Sequence, residues 1–149
     1  MPLPSGGAFS AISCTSAAAC TATGTVFDRP HEPLGAMAER WNGKAWSFQA
    51  VPNPPDASAS MGTISVDVVA CRSATSCVAA GNYTPDGQEL IFAEAWNGST
   101  WSLQPIDLPP GAIDSVLSGA SCAAPHCVAV GSYLGPSGIP VTLAVTAAG

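Results

Sequence analysis

Close pairs of cysteines recur three times along this chain of 149 residues, and they constrain its fold more than any other feature. After the second cysteine of each pair the chain reads x-Ala-x-Gly, and the pairs begin 57 and 51 residues apart. Intervals of about 50 residues are typical of repeated β units that stack on one another. We therefore predict three copies of one unit, whose cysteines pair as Cys14 with Cys20, Cys71 with Cys77, and Cys122 with Cys127.

The paired cysteines predict three disulfides, because an even number of cysteines in local pairs is typical of proteins from oxidising compartments. Zinc is one alternative, but the pairs are wider than usual zinc-ligand spacings and no further Cys or His completes a set of four. Reduced core thiols are the other alternative. We assign no metal ligand and no cofactor. We predict an extracellular or cell-surface protein, although the N-terminus lacks the basic and apolar segments of a signal peptide.

Each unit has the pattern of four short antiparallel strands, A to D. Strand A is the nearly continuous apolar run before the first cysteine, which predicts burial on both faces. Strand B starts at the second cysteine, so a disulfide pins the A–B hairpin. Strands C and D flank Asn42-Gly43 and Asn97-Gly98, the preferred pair for a two-residue type I′ turn. The third unit has no Trp-Asn-Gly segment, which predicts that it lacks its last strand.

Counting outward from the C–D turns places the tryptophans of each hairpin on one face, and a loop of four residues in place of two would preserve this alternation. We interpret these pairs mainly as parts of the core, with an exposed aromatic platform for a sugar as the alternative. Glu39 and Glu94 share the same face, and their recurrence indicates a structural role such as a bond to a neighbouring turn. The tryptophan pairs are Trp41 with Trp46 and Trp96 with Trp101.

The units resemble the repeats of large secreted actinobacterial β-propeller proteins, which combine Ser-Cys-x-Ser-x-x-x-Cys-x-Ala-x-Gly with Ala-Glu-x-Trp-Asn-Gly-x-x-Trp-Ser. The resemblance implies a fold and no particular activity. A weaker similarity links the C–D turns to the Asp-box of sialidase-like propellers, but Trp41 and Trp96 occupy the Asp position, so no sialidase activity is implied. The matching segments are 13–16 with 20–24, 71–73 with 77–81, 38–47 and 93–102.

We predict one all-β repeat domain over residues 1–149, with propeller blades at about 8–55, 56–110 and 111–149. The third blade lacks its last strand. Three blades do not close a propeller, which takes at least four. The blades therefore belong to a partial propeller or associate with further copies, and a β-trefoil-like threefold body is the alternative.

Charge limits the partners of the chain. A net charge of −6 argues against nucleic acid, because phosphate backbones are bound by clustered Lys and Arg. No apolar run is long enough to span a membrane. The predicted B–C and D–A connections hold seven of the ten acidic residues, which favours cations, basic peptides or polyhydroxylated ligands. The candidate ligand-binding residues are Asp28, Arg29, His31, Glu32, Asp86 and Glu89.

The function that these features favour is an extracellular binding module that holds a carbohydrate or a protein through its acidic loop face. The first alternative is a secreted glycosidase-like hydrolase, because paired loop carboxylates can cleave glycosides when suitably spaced. The second is a structural scaffold for oligomerisation, in which copies complete a propeller. We assign no catalytic residue, because no Ser-His-Asp set follows from His31 or His126.

Overall fold

The computed structural model describes residues 6–29, 32–55, 57, 63–85 and 87–148, and its regular structure is all β. The first unit forms β1 (Gly6–Ser16), β2 (Ala19–Arg29), β3 (Glu32–Trp41) and β4 (Trp46–Gln49). The second unit forms β5 (Ile64–Ser73), β6 (Ser76–Tyr83), β7 (Leu90–Trp96) and β8 (Trp101–Gln104). The third unit forms β9 (Ile113–Ala123), β10 (His126–Leu134) and β11 (Pro140–Ala148).

The strands form three antiparallel sheets, ordered β1-β2-β3-β4, β5-β6-β7-β8 and β11-β10-β9. We call them the first, second and third sheets. Each is a meander, because every strand pairs with the next one along the chain. The all-β prediction is confirmed, and the third sheet has three strands where the others have four. Within the described ranges, no sheet closes on itself.

Each A–B hairpin carries the predicted disulfide. The two cysteines of every pair lie directly opposite each other in the register, with their Cα atoms 4.0 Å apart. Bridges of this kind persist in oxidising surroundings, so the three disulfides fit an extracellular environment. The bonds join Cys14 to Cys20, Cys71 to Cys77, and Cys122 to Cys127.

The prediction of a two-residue turn between strands C and D is wrong. Trp41 pairs directly with Trp46, so four residues form the loop. Oδ1 of Asn42 accepts hydrogen bonds from the backbone N–H groups of Lys44 and Ala45, both at 2.9 Å. Gly43 takes the left-handed φ of 91° that a residue without a Cβ adopts easily. Loops of two and of four residues preserve the same alternation of side chains along the strands. The tryptophans therefore still share a face, as predicted.

Each sheet has two faces, which we define by strand B. The front face carries the cysteine of β2, β6 or β10, and the back face carries the residue that follows it. The back face of the first sheet covers the front face of the second, where Thr21 Oγ1 lies 3.6 Å from Cys77 Sγ. The back face of the second covers the front face of the third, where Val78 packs with Cys127. The sheets therefore stack front to back.

Apolar layers fill the two spaces between the sheets. Ala38 of the first sheet packs with Val66 and Trp96 of the second. Val68 of the second sheet packs with Leu143 of the third. Burial of such side chains contributes roughly 25 cal/mol per Å² of apolar surface removed from water. The stacking of sheets, more than any single sheet, therefore provides the core.

The two outer faces of the stack are open in the part of the chain that the structure describes. On the front face of the first sheet, Phe9 is 53% and Ile12 is 59% exposed. On the back face of the third sheet, Val130 is 49% exposed. The prediction that strand A is buried on both faces therefore holds for most of β5, which lies between two sheets, and is wrong for β1.

Candidate functional site

The strands carry opposite charges at their two ends. The disulfide end holds the A–B and C–D turns, and the loop end holds the B–C and D–A connections. Three of the four basic residues, Arg40, Lys44 and Arg72, lie at the disulfide end. Arg40 donates to the backbone oxygen of Ala74, and its guanidinium lies 4.8 Å from the ring centre of Trp96. These basic side chains are therefore directed away from the predicted acidic face.

Carboxyl groups gather at the loop end between the second and third sheets. Asn82 Nδ2 donates to Glu89 Oε1 at 2.9 Å, and the backbone N–H of Glu89 donates to Asp114 Oδ1 at 3.1 Å. Burial raises the pKa of Asp67, a hydrogen bond from Ser65 lowers it, and the negative charge of Glu89 raises it. Asp67, Glu89 and Asp114 therefore produce a shared negative field beside the starts of β7 and β9.

The structure places the six predicted ligand-binding residues unevenly. The backbone of Asp28 and Arg29 belongs to the end of β2, and Arg29 lies opposite Glu32, the first residue of β3. This segment therefore extends a hairpin, where the sequence predicted a longer loop. His31 and Asp86 lie outside the described residues. Glu89 is thus the predicted residue whose side-chain contacts the structure describes.

Asp67 is an acidic residue of this end that the sequence analysis missed. It lies within the apolar run of β5, at the point where the register with β6 shifts between Val66 and Val68. Such a bulge turns an extra residue out of the alternation, so a carboxylate fits there without entering the core. A lone acid in an otherwise apolar strand was the available signal, but strand alternation alone does not locate a bulge.

The two tryptophan pairs have similar geometry and different surroundings. Their ring centres lie 5.7 Å apart for Trp41 with Trp46 and 5.8 Å apart for Trp96 with Trp101. The second pair is covered by the back face of the first sheet, whereas Trp46 is 43% exposed on the open front face. The same motif therefore lies in the core in one unit and at the surface in another.

Glu94 lies on the front face of the second sheet and is only 1% exposed. Neither of its carboxyl oxygens has a hydrogen-bond partner among the described residues, so the predicted bond to a neighbouring turn is wrong for this residue. Burial raises the pKa of Glu94 to about 8. The side chain is therefore largely protonated at neutral pH. Its counterpart Glu39 lies on the open front face, in a depression that Phe9 and Trp46 also line.

A cleft of about 230 Å³ separates the outer strands of the second and third sheets. Small apolar side chains form most of its walls, and Gln104 and Asp107 lie among its polar lining. No sequence pattern predicted this space, because it arises from the packing of two sheets. Its alanine lining comes from both sheets: Ala79, Ala80 and Ala93 from the second, and Ala120, Ala129, Ala144 and Ala147 from the third.

Comparisons with protein-family models, curated proteins and solved structures found no match. Within the described ranges, no group of three or more His, Cys, Asp or Glu side chains is placed to hold a metal ion. The described residues also contain no helix with the length and apolar character needed to span a bilayer.

Proposed function

We propose that the chain is an extracellular binding module built from β-propeller-type units, which holds a protein or carbohydrate ligand at its acidic loop end. The observation that carries this proposal is the separation of charge along the strands. Asp67, Glu89 and Asp114 lie at the loop end, whereas Arg40 and Arg72 lie at the other end. A field of this polarity favours basic peptide segments and polyhydroxylated ligands.

The arrangement of the sheets supports the propeller-type unit. Successive meanders stack front to back, and β5 packs between β1 and β9, so the first strands of the units lie side by side. The first and third sheets make no extensive contact within the described ranges, which favours an open array of blades over a threefold β-trefoil-like body. The repeated sequence segments that resemble actinobacterial propeller proteins support the same interpretation.

Neutralising the loop end tests the binding role. The double variant Glu89→Gln with Asp114→Asn keeps side-chain shape, and Asn tolerates the φ of 46° at position 114. We expect its affinity for a short oligolysine peptide to fall about threefold to tenfold at low salt, because surface charges act mainly through long-range attraction. Fluorescence anisotropy measures this change.

The matched control is Glu39→Gln, which removes a carboxylate from the front face and should leave the peptide affinity unchanged. Equal binding by the double variant and the native chain would contradict the proposal. Turnover of chromogenic glycosides that disappears in the double variant would instead favour the glycosidase-like hydrolase.

A second role, as a scaffold for oligomerisation, is favoured by the two open faces of the stack. The back face of the first sheet covers the front face of the second. Within the described ranges, the front face of the first sheet and the back face of the third sheet stay open at the two ends of the stack. A back face of another copy therefore fits the open front face. A molecular mass in solution that rises with concentration is the expected result, and a monomer at every concentration would exclude this role.

A further inference from the structure

Polar side chains gather at the loop end, in the space between the back face of the second sheet and the front face of the third. Asn82 of β6 lies opposite Ser65 of β5, and Asn82 Nδ2 donates to Glu89 Oε1 at 2.9 Å. Ser65 Oγ donates to Asp67 Oδ2 at 3.0 Å. The backbone N–H of Ser115 in β9 donates to the carbonyl oxygen of Glu89 at 3.0 Å. We call Asp67, Asn82, Glu89 and Ser115 the inter-sheet cluster.

Two oxygen atoms of the inter-sheet cluster, Asn82 Oδ1 and Ser115 Oγ, are buried without a partner among the described residues. Asn82 is 8% exposed and lies on the back face of β6, toward the third sheet. Ser115 is 1% exposed and lies two residues before Leu117, which packs with Val68 between the two sheets. Because an unpartnered buried polar atom is costly, these oxygens indicate a partner from outside the described residues.

The other two members of the inter-sheet cluster are acidic, and both are partly buried. Burial raises the pKa of Asp67, and the negative charge of Glu89 raises it further, against the opposite effect of the hydrogen bond from Ser65. Three of the four basic residues of the chain lie at the disulfide end of the strands. A water molecule bonded to the unpartnered oxygens would leave the two negative charges side by side, whereas a cation compensates them.

The equivalent level between the first and second sheets has no such need. Thr25 holds the position of Asn82, five residues after the second cysteine of its unit. Ile64 holds the position of Ser115, seven residues before the first cysteine of its unit. Thr25 Oγ1 donates to the carbonyl oxygen of Ile64 at 3.2 Å, so the hydroxyl there has a partner. Packing of the repeat therefore does not require two unpartnered oxygens at this level.

We propose that the inter-sheet cluster binds a calcium ion. Calcium takes about six to eight oxygen ligands, which include carboxylates, neutral amide or carbonyl oxygens and water. The carboxylates of Asp67 and Glu89 balance its charge, and Asn82 Oδ1 and Ser115 Oγ supply neutral ligands. The set has two carboxylates, so it differs from the groups of three or more acidic, Cys or His ligands that the described residues lack. The sequence predicted no metal ligand, because these residues come from four separate segments.

Calcium fits this position better than the other cations that an acidic site attracts. Its coordination is flexible, which suits ligands from β5, β6, β9 and the start of β7, whereas magnesium demands near-ideal octahedral geometry and keeps its water. Asn82 Oδ1 and Ser115 Oγ have almost no exposed surface. A bare ion therefore reaches them more readily than the ammonium group of a peptide lysine. This site goes beyond the proposed binding of a protein or carbohydrate.

Titration calorimetry with CaCl2 tests the proposal on the intact disulfide-bonded chain, after treatment with EDTA and dialysis. We expect one ion per chain and a dissociation constant of about 0.1–1 mM, the range of extracellular calcium modules. Asp67→Asn removes a charged ligand and should weaken binding about tenfold or more. Ser115→Ala removes a hydroxyl alone and should weaken binding about threefold, so a folding defect at position 67 does not prevent the test.

The matched control is Asp107→Asn, which removes the same charge from an exposed residue outside the inter-sheet cluster. Its calcium affinity should equal that of the native chain. Magnesium should bind at least about tenfold more weakly than calcium. Calcium should also raise the urea concentration at which the native chain unfolds, because an ion that binds the folded state stabilises it, and Asp67→Asn should reduce this effect.

No calcium binding up to about 10 mM would overturn the proposal, as would unchanged binding in both Asp67→Asn and Ser115→Ala. Equal weakening by Asp67→Asn and Asp107→Asn would also overturn it, because a diffuse field depends on total charge. Equal affinities for calcium and magnesium would do the same. With EDTA present, oligolysine binding is measured independently of this site. A chain that binds oligolysine and no calcium contradicts this proposal alone, and the reverse result contradicts the loop-end function alone.

Discussion

At the scale of single residues, Glu94 places a carboxyl group, only 1% exposed, between the first and second sheets. Its recurrence with Glu39 predicted a hydrogen bond, because a repeated polar residue in a strand usually has a partner. The side chain instead lies under the first sheet without a described partner, and burial raises its pKa to about 8. Local sequence did not predict this, because Glu39 has nearly the same neighbours and lies on an open face.

The raised pKa makes stability depend on pH. In the unfolded chain a glutamate ionises near pH 4.3, whereas folded Glu94 ionises near pH 8. The unfolded state therefore loses this proton first as pH rises. The contribution of Glu94 to the free energy of unfolding should be greatest below about pH 4.5. It should fall by a few kcal/mol between about pH 4.5 and about pH 8, and then level off.

Replacing Glu94 by Gln should remove this decline, because Gln keeps the shape and does not ionise. Urea unfolding at pH values of about 5, 7 and 9, with the disulfides intact, measures the effect. Glu39→Gln is the matched control and should keep the decline of the native chain. If the free energy of unfolding of Glu94→Gln falls with pH as steeply as that of the native chain, Glu94 does not cause the pH dependence of stability.

At the scale of elements, the sequence predicted local structure well and stacking poorly. The cysteine pairs and the Trp-Asn-Gly segments located the hairpins, the disulfides and the shared face of each tryptophan pair, because these depend on alternation within one sheet. The predicted length of two residues for the C–D turn was wrong. Asn42 Oδ1 accepts hydrogen bonds from the N–H groups of Lys44 and Ala45, which stabilises a four-residue loop. Whether a front face is covered depends on the neighbouring sheet. Two units with the same motifs can therefore differ in the burial of their tryptophans.

Truncating equivalent tryptophans tests this difference between covered and open faces. Trp101→Ala removes a side chain that is 6% exposed, and we expect a loss of about 3–5 kcal/mol in the free energy of unfolding. Trp46→Ala removes its counterpart, which is 43% exposed, and should cost about 1 kcal/mol. Urea unfolding measures both. Similar losses for the two variants would contradict the front-to-back stacking.

At the scale of the whole molecule, the repeat leaves unlike surfaces at its two ends. The open front face of the first sheet carries Phe9, Ile12 and Trp46, with Glu39 in the same depression. The open back face of the third sheet includes His126 and has no Asp, Glu, Lys or Arg among its described residues. The acidic loop end lies on neither face, so the proposed ligand binding and the proposed stacking of copies would use separate surfaces. The back-face residues include Val128, Val130, Ala144 and Thr146.

If copies stack as the sheets do, Glu39 becomes covered as Glu94 is, and its charge opposes association at neutral pH. Glu39→Gln removes the cost of taking a carboxylate out of water, so we expect the dissociation constant between copies to fall about tenfold. Ile12→Lys places a charge in the same face and should abolish association. Analytical ultracentrifugation over a concentration series measures both effects.

Glu89→Gln is the matched control for this experiment, because it removes a carboxylate at the loop end and leaves both open faces unchanged. Its association should equal that of the native chain. The opposite signs expected for Glu39→Gln and Ile12→Lys distinguish stacking from general adhesion of apolar surface. General adhesion would be insensitive to one carboxylate, so an unchanged dissociation constant in Glu39→Gln would count against the front face as the contact between copies.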